Sequence, residues 1–160
     1  MFVGAICHDL DHRGFNNKFM MDSQSALATV YSSSTMENHH FNMGVSILQQ
    51  EQNNIFSALN PEEYKEVLQT MKNCILATDL ALFFPNKAKL ANIVKEGAFS
   101  WTDPEHRRLA MALCMTGSDL NSSSKPWQTQ FNTSKLVYAE FHEQVCRYLG
   151  VIGISSEIAL

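Results

Sequence analysis

HDLDHRG, residues 8–14, places two carboxylates and two imidazoles within five consecutive positions. His12 lies four residues after His8, and side chains at that spacing share one face of a helix or tight turn. Imidazole nitrogen and carboxylate oxygen suit a divalent metal such as zinc, magnesium or manganese. The apolar residues 1–7 predict a buried helix without a cap, which indicates that the chain begins inside a larger domain. That helix would hold the charged groups near the interior, which favours a metal site over a solvated turn.

Helical signals dominate the rest of the chain, and the sequence shows no convincing alternating strand pattern. Asn60-Pro61 and Asp103-Pro104 each pair a capping residue with proline at the first helical position. Residues 109–115 are apolar on nearly every side, which predicts a deeply buried helix. Further helices are expected over 35–49, 86–95 and 135–149, and loops over 52–54, 84–86 and 121–126. The sequence therefore predicts one all-α unit.

Composition and charge narrow the functional classes. Apolar residues make up 45% of the 160 positions and charged residues 18%, as in an ordinary globular protein. The net charge of −4, without a basic patch, argues against nucleic acid as a partner. The apolar start lacks a basic flank, so it predicts neither a signal peptide nor a membrane span. The four cysteines lie far apart without a CxxC pair, which favours buried, reduced thiols in a cytosolic protein.

Several polar residues occupy positions where the helical pattern predicts apolar ones: Glu37, Thr78, Asp79 and Asp119. Glu37 lies on the apolar face of the helix expected over 35–49. Thr78 and Asp79 lie at the end of the apolar face of the next helix, and Asp119 follows the apolar stretch 109–115. Burying an ionised carboxylate is costly unless it is paired or bound to a cation. Each residue alone is explained by a helix end that reaches solvent. Together with His8 and Asp9, all are explained by one shared metal centre.

HDLDHRGFNN, residues 8–17, resembles the central motif of the class I, mammalian-type cyclic-nucleotide phosphodiesterases. Further blocks resemble that family in its order: MENHHF at 36–41, ILATDL at 75–80, MTGSDL at 115–120 and KPW at 125–127. The resemblance implies an all-α, partial multi-helix, HD-type catalytic domain. Its central part covers residues 1–144, its N- and C-terminal portions are absent, and 145–160 form a divergent tail. Residues 32–56 look closest to the branch that carries GAF domains, and within it to the dual-specificity members.

The resemblance implies hydrolysis of 3′,5′-cyclic nucleotides, cAMP and/or cGMP, to nucleoside 5′-monophosphates in signal transduction. It also implies two divalent ions, a tightly held Zn²⁺ and a second Mg²⁺ or Mn²⁺ bridged by Asp9, in a cytoplasmic parent protein that can form a homodimer. The resemblance implies that His8, Asp9 and Asp119 bind the tightly held metal. It implies that His12, Glu37 and Thr78 form hydrogen bonds with the waters and hydroxide of the metal site. Leu80 and Leu120 are the residues it implies for contact with the nucleotide.

Two parts of the family pattern are missing from this sequence. An upstream HNxxHxN motif would supply the general acid and a further metal-binding histidine, and a downstream region would supply the glutamine and phenylalanine that hold the purine. His39 and His40 belong to a different block and are not expected to replace the missing histidines. Inside one motif, Ser118 stands where the family usually has cysteine, a small change that should be tolerated. The 160-residue chain alone is therefore expected to have little or no activity.

Two alternatives remain open at the level of the sequence. One is a different HD-type metal-dependent phosphohydrolase, although the blocks around Glu37, Thr78 and Lys125 argue against it. The other is a truncated, non-catalytic fragment that binds metal or a partner helix. Apolar surfaces left by absent helices would favour such an interaction, or aggregation.

Overall fold

The computed structural model describes residues 1–151, and every regular element within them is helical. The predicted all-α class is therefore confirmed. Residues 152–160, most of the predicted divergent tail, lie outside the described residues. The helices are α1 (Phe2–Cys7), α2 (Asn17–Asp22), α3 (Ala26–Val30), α4 (Thr35–Leu48), α5 (Pro61–Leu76), α6 (Leu80–Lys95), α7 (Pro104–Asp119) and α8 (Trp127–Val151), with single 3-10 turns at Glu51–Asn53 and Leu120–Ser124.

The start of α5 follows the sequence signal because its first turn is capped by side chains. The Asn60 side-chain oxygen accepts the Glu63 N–H at 2.9 Å, and the Glu63 carboxylate accepts the Asn60 N–H at 3.1 Å. This reciprocal arrangement is a capping box, and it satisfies two backbone donors that the helix leaves unpaired. Asp103 caps α7 in a similar way, accepting the N–H groups of Glu105 and His106.

We expect Asn60→Ala to lower the free energy of unfolding by about 1 kcal/mol, because alanine offers the first turn no acceptor. Asn60→Asp is the matched control, since aspartate caps about as well as asparagine. Urea denaturation followed by circular dichroism measures both. Equal stability of the two variants would show that the capping box contributes nothing.

Two helices extend further than the sequence predicts. α6 begins at Leu80 and runs through Pro85, where a loop is expected from the breaker pattern. Asp79 caps it by accepting the Ala81 N–H at 3.0 Å. Pro85 lies inside the helix, where proline lacks the N–H for one backbone bond and ordinarily kinks or ends a helix, yet α6 continues to Lys95. α8 begins at Trp127, directly after Pro126, rather than at position 135. Both prolines were read as breakers, yet Pro85 lies inside α6 and Pro126 directly precedes α8.

α1 forms as expected, but the prediction that it is buried is wrong. Phe2 is 79% exposed and Ile6 is also exposed, whereas Gly4 is buried. A six-residue helix can pack only one face, and that face lies against α5. A Cβ atom added at Gly4 would lie 3.2 Å from Cys74 Cβ, so the missing side chain is what allows the two backbones to approach. This close approach sets the position of the residues that follow α1.

Contacts divide the chain into two compact units rather than the single unit predicted. The first comprises Met1–Asp11 and Glu37–Leu120, and the second begins with His12–Met36 and continues from Asn121. The first unit contains two buried apolar clusters and the second contains one, which explains the division. The first unit buries Leu48, Met71, Cys74, Ile75, Ala77, Leu109, Ala112 and Met115, and the second buries Phe19, Met20 and Met36.

The four cysteines are free thiols, but they are not uniformly buried as predicted. Cys74 is buried, Cys7 and Cys146 are half-buried, and Cys114 is exposed. α7 buries one face, formed by Leu109, Ala112, Met115 and Thr116, and Cys114 is absent from it. Among the described residues no single helix is long and apolar enough to cross a membrane; α5 and α6, bent by 106°, pass that test only when counted together.

Candidate metal centre

The three predicted ligands converge at the ends of two helices in the first unit. His8 is the C-terminal cap of α1, Asp9 follows it, and Asp119 is the last residue of α7. One ligand atom from each lies within 4.8 Å of the others. His8 Nε2 is 3.1 Å from an Asp119 carboxylate oxygen and 3.4 Å from one of Asp9. The fold thus brings together residues separated by 111 positions.

The imidazole of His8 is oriented from behind by the helix that carries it. Its Nδ1 lies 2.7 Å from the Ala5 carbonyl oxygen and donates to it, so Nε2 faces the two carboxylates. Metal-binding histidines commonly donate their second nitrogen to a carbonyl in this way. The hydrogen bond to Asp119 raises the pKa of His8 to about 9, while partial burial opposes that rise. A cation would replace the shared proton, and one imidazole with two carboxylates is a donor set that fits a divalent ion.

α7 is fixed at its ligand-bearing end by a buried hydroxyl. The Thr116 Oγ1 donates to the Ala77 carbonyl oxygen at 2.9 Å and also lies 3.2 Å from the Ala112 carbonyl oxygen. Ala77 is the C-terminal cap of α5, so this bond ties the last turn of α7 to the end of α5. Asp119 follows less than one turn later, so the bond helps to set where its carboxylate lies.

We expect Thr116→Val to lower the free energy of unfolding by about 1–3 kcal/mol, because it leaves the buried Ala77 carbonyl without this donor. Thr116→Ser keeps the hydroxyl and is the control that loses only a methyl group. Chemical denaturation of both variants measures the difference. A valine variant at least as stable as the serine variant would contradict the assigned role of the hydroxyl.

The other predicted site residues have local positions that can be stated one by one. Glu37 lies in the first turn of α4 and is half-buried. The Thr78 hydroxyl donates to the Ile75 carbonyl oxygen at 2.7 Å. His12, in the second unit, is exposed and accepts the Gly14 N–H at its Nδ1. Leu80 and Leu120 are exposed; the first begins α6 and the second is the C-terminal cap of α7. The roles that the resemblance implies for them stay predictions.

Asp79, another of the unexplained polar residues, has a structural explanation. Its carboxylate accepts the Ala81 N–H and caps α6, so it is a helix-end residue. Asp79 is therefore explained as a helix-end residue that reaches solvent, whereas Asp119 belongs to the group of possible metal ligands.

Two histidines of α4, His39 and His40, were assigned no role from the sequence. His40 is only 2% exposed, its Nδ1 lies 2.6 Å from the Leu10 carbonyl oxygen, and its Nε2 lies 3.8 Å from an Asp9 carboxylate oxygen. His39 Nε2 lies 2.7 Å from an Asp11 carboxylate oxygen. Position 40 lies four residues after the buried Met36 and eight residues before the buried Leu48, so all three lie on one helical face. A histidine on such a buried face was the signal that the sequence offered.

An all-helical fold in which a neighbouring His-Asp pair meets a distant aspartate is the arrangement of an HD-type metal-binding domain. Comparison with known proteins is more specific. The family model described as 3′5′-cyclic nucleotide phosphodiesterase matches residues 1–148. The chain therefore belongs to the 3′,5′-cyclic nucleotide phosphodiesterase family, as predicted, and a different HD-type family is set aside.

Individual relatives agree with this assignment. Over 144 residues the chain is 51% identical to a probable 3′,5′-cyclic phosphodiesterase, pde-5, of Caenorhabditis elegans, covering 90% of this chain and 20% of that protein. It is 44% identical to the cGMP-specific 3′,5′-cyclic phosphodiesterase of Drosophila melanogaster, covering 90% and 13%. The solved phosphodiesterase domain of the rhodopsin phosphodiesterase from Salpingoeca rosetta is 30% identical, with a TM-score of 0.88, covering 96% of this chain and 47% of that one.

The chain spans about a fifth or less of these curated relatives and about half of the solved domain. The observed fold therefore corresponds to part of a catalytic domain of known architecture. The predicted lean toward the dual-specificity branch and the domain boundary at residue 144 stay predictions.

Proposed function

We propose that residues 1–144 form the metal-binding part of an enzyme that hydrolyses 3′,5′-cyclic nucleotides, cAMP and/or cGMP, to nucleoside 5′-monophosphates in signalling. The observation that carries the proposal is the convergence of His8, Asp9 and Asp119 in a chain of this family. The Drosophila relative is named cGMP-specific, which supports cGMP as one of the substrates.

The donor set of His8, Asp9 and Asp119 fits a divalent ion. The family resemblance adds to the proposal that this ion would be a tightly bound Zn²⁺ and that Asp9 would also help to hold a second ion, Mg²⁺ or Mn²⁺. When bound, such ions offset the charge of the phosphodiester and lower the pKa of a water molecule, which provides hydroxide near neutral pH. The chain contributes two carboxylates that balance the charge of the cations and one imidazole whose Nε2 is aimed by the Ala5 carbonyl.

The remaining predicted residues complete the proposal. His12, Glu37 and Thr78 would hold water molecules of the metal site through hydrogen bonds, and the exposed side chains of Leu80 and Leu120 would contact the nucleotide. The four free thiols support a cytoplasmic location. Assembly of the parent protein as a homodimer is part of the same proposal.

A chimera tests the proposed function directly. Residues 1–148 of this chain would replace the matching half of the Salpingoeca rosetta domain, which supplies the remaining half of the fold. We expect hydrolysis of cAMP or cGMP that a chelator abolishes and that zinc with magnesium restores. A folded chimera that binds zinc but releases no 5′-monophosphate would instead support the non-catalytic, metal-binding alternative.

A further inference from the structure

Two adjacent histidines of α4 contact consecutive residues of the segment that follows α1. His39 Nε2 donates to an Asp11 carboxylate oxygen at 2.7 Å, and His40 Nδ1 donates to the Leu10 carbonyl oxygen at 2.6 Å. Both imidazoles are buried. A buried polar ring is costly unless it is hydrogen-bonded, so these bonds are what make the two histidines acceptable at this place.

The segment that they contact has an unusual backbone. α1 ends at Cys7, and Asp11 has a φ of +58°, in the left-handed region that non-glycine residues rarely adopt. Aspartate tolerates this region better than most residues, and a fixed side-chain partner then selects it. The bond from His39 to Asp11 supplies that partner.

Asp9 depends on this backbone because its own side chain is not held by burial. Its side chain is 61% exposed, so the carboxylate is placed mainly by the main chain on either side of it. On one side, α1 and the bond from His8 to Ala5 fix the preceding residue. On the other side, Leu10 and Asp11 are the next two residues, and each is held by one of the α4 histidines.

We propose that His39 and His40 are positioning residues that act together as a clamp, the pair of imidazoles that holds Leu10 and Asp11 so that Asp9 stays in place to bind metal. The His40 Nε2 also faces an Asp9 carboxylate oxygen at 3.8 Å, on the side away from the Leu10 bond. This inference rests on the proposed metal centre. It adds two residues of the MENHHF block that have no role in the ligand set itself.

The two bonds use different ring nitrogens, which allows a matched test. A glutamine amide nitrogen lies near the position of histidine Nε2, and an asparagine amide nitrogen lies near that of Nδ1. His39→Gln and His40→Asn therefore keep a donor where each bond needs it, whereas His39→Asn and His40→Gln do not. The zinc dissociation constant of the chain, measured by competition with a chromogenic chelator, and the visible absorption spectrum of bound Co²⁺ are the readouts.

We expect His39→Asn and His40→Gln to weaken zinc binding by about 10- to 100-fold, the usual effect of removing a group that orients a metal ligand. His39→Gln and His40→Asn should bind zinc nearly as the wild-type chain does and keep its cobalt spectrum. A purely structural role of the same two bonds would change the free energy of unfolding in the same order, but donor-lacking variants that stay folded would then keep the zinc affinity and the cobalt spectrum of the wild-type chain.

Equal zinc affinity in all four variants, or equal loss in all four, would overturn the clamp. If a donor-lacking variant fails to fold, His39→Gln and His40→Asn still test the proposal. We expect both to bind zinc with wild-type affinity, and a loss of zinc affinity in either one would contradict the clamp. Absence of zinc binding by the wild-type chain would be a different result: it would overturn the proposed metal centre and the clamp with it.

Discussion

Replacing Asp119 with alanine should weaken zinc binding by more than about 100-fold, since even a group that only orients a metal ligand typically contributes about 10- to 100-fold. The variant keeps His8 and Asp9, which are neighbours in sequence, but loses the ligand that comes from α7. Titration calorimetry with Zn²⁺ measures the affinity. Asp119 would contact the metal directly, so its loss should lower the zinc affinity more than the loss of a group that only orients a ligand.

A second readout of the same variant needs no metal. The hydrogen bond to Asp119 is the main cause that raises the pKa of His8 to about 9, so Asp119→Ala should move that pKa down toward its ordinary value near 6.5. The proton resonances of the imidazole, followed by NMR as the pH is varied, report it. This measurement tests the observed geometry even if zinc binding proves weak.

Glu96→Ala is the matched control for Asp119→Ala. Glu96 is an exposed carboxylate at the C-terminal cap of α6 in the same unit, so its removal changes the net charge equally. A negative charge at a helix C-terminus is not stabilising, so little effect on the fold is expected. Equal zinc affinities in the two variants would rule out Asp119 as a ligand.

The parts of the fold that could be predicted are those with local causes. The starts of α5 and α7 were predictable because the capping acceptors of Asn60 and Asp103 lie two or three residues from the N–H groups they bind. The start of α6 was missed because Asp79 was considered for the metal site and Pro85 was read as a breaker, although a well-capped helix accommodates it. The exposure of α1 was unpredictable, since it depends on which helices pack against it.

The candidate site shows the same division. The His8-Asp9 pair is local and was visible at once, whereas Asp119 was suggested by its unexplained position and by the family resemblance, and the fold alone brings it to within 4.8 Å of them. The role of His40 was not predictable, because its partner is the backbone carbonyl of Leu10. A backbone acceptor leaves no residue signature in a sequence.

The 160-residue chain alone is expected to hydrolyse cAMP and cGMP at least about 10²- to 10⁴-fold more slowly than the chimera with the Salpingoeca rosetta domain. That factor is the usual contribution of a general acid, and the HNxxHxN motif that would supply it in this family does not occur in the sequence. Release of 5′-monophosphate with zinc and magnesium present measures both proteins. Turnover by the chain at the rate of the chimera would contradict the prediction.

Zinc binding and turnover should separate in the chain alone, because they depend on different residues. His8, Asp9 and Asp119 are all present and converge, so zinc should bind. The family resemblance implies that protonation of the leaving oxygen and binding of the purine depend on upstream and downstream motifs, and neither motif occurs in the sequence. Asp119→Ala should therefore weaken zinc binding in the chain by more than about 100-fold and lower turnover in the chimera. Fusion to the other half of the solved domain should give turnover without changing which residues bind the metal. A chain that failed to bind zinc would contradict this separation and the proposed metal centre alike.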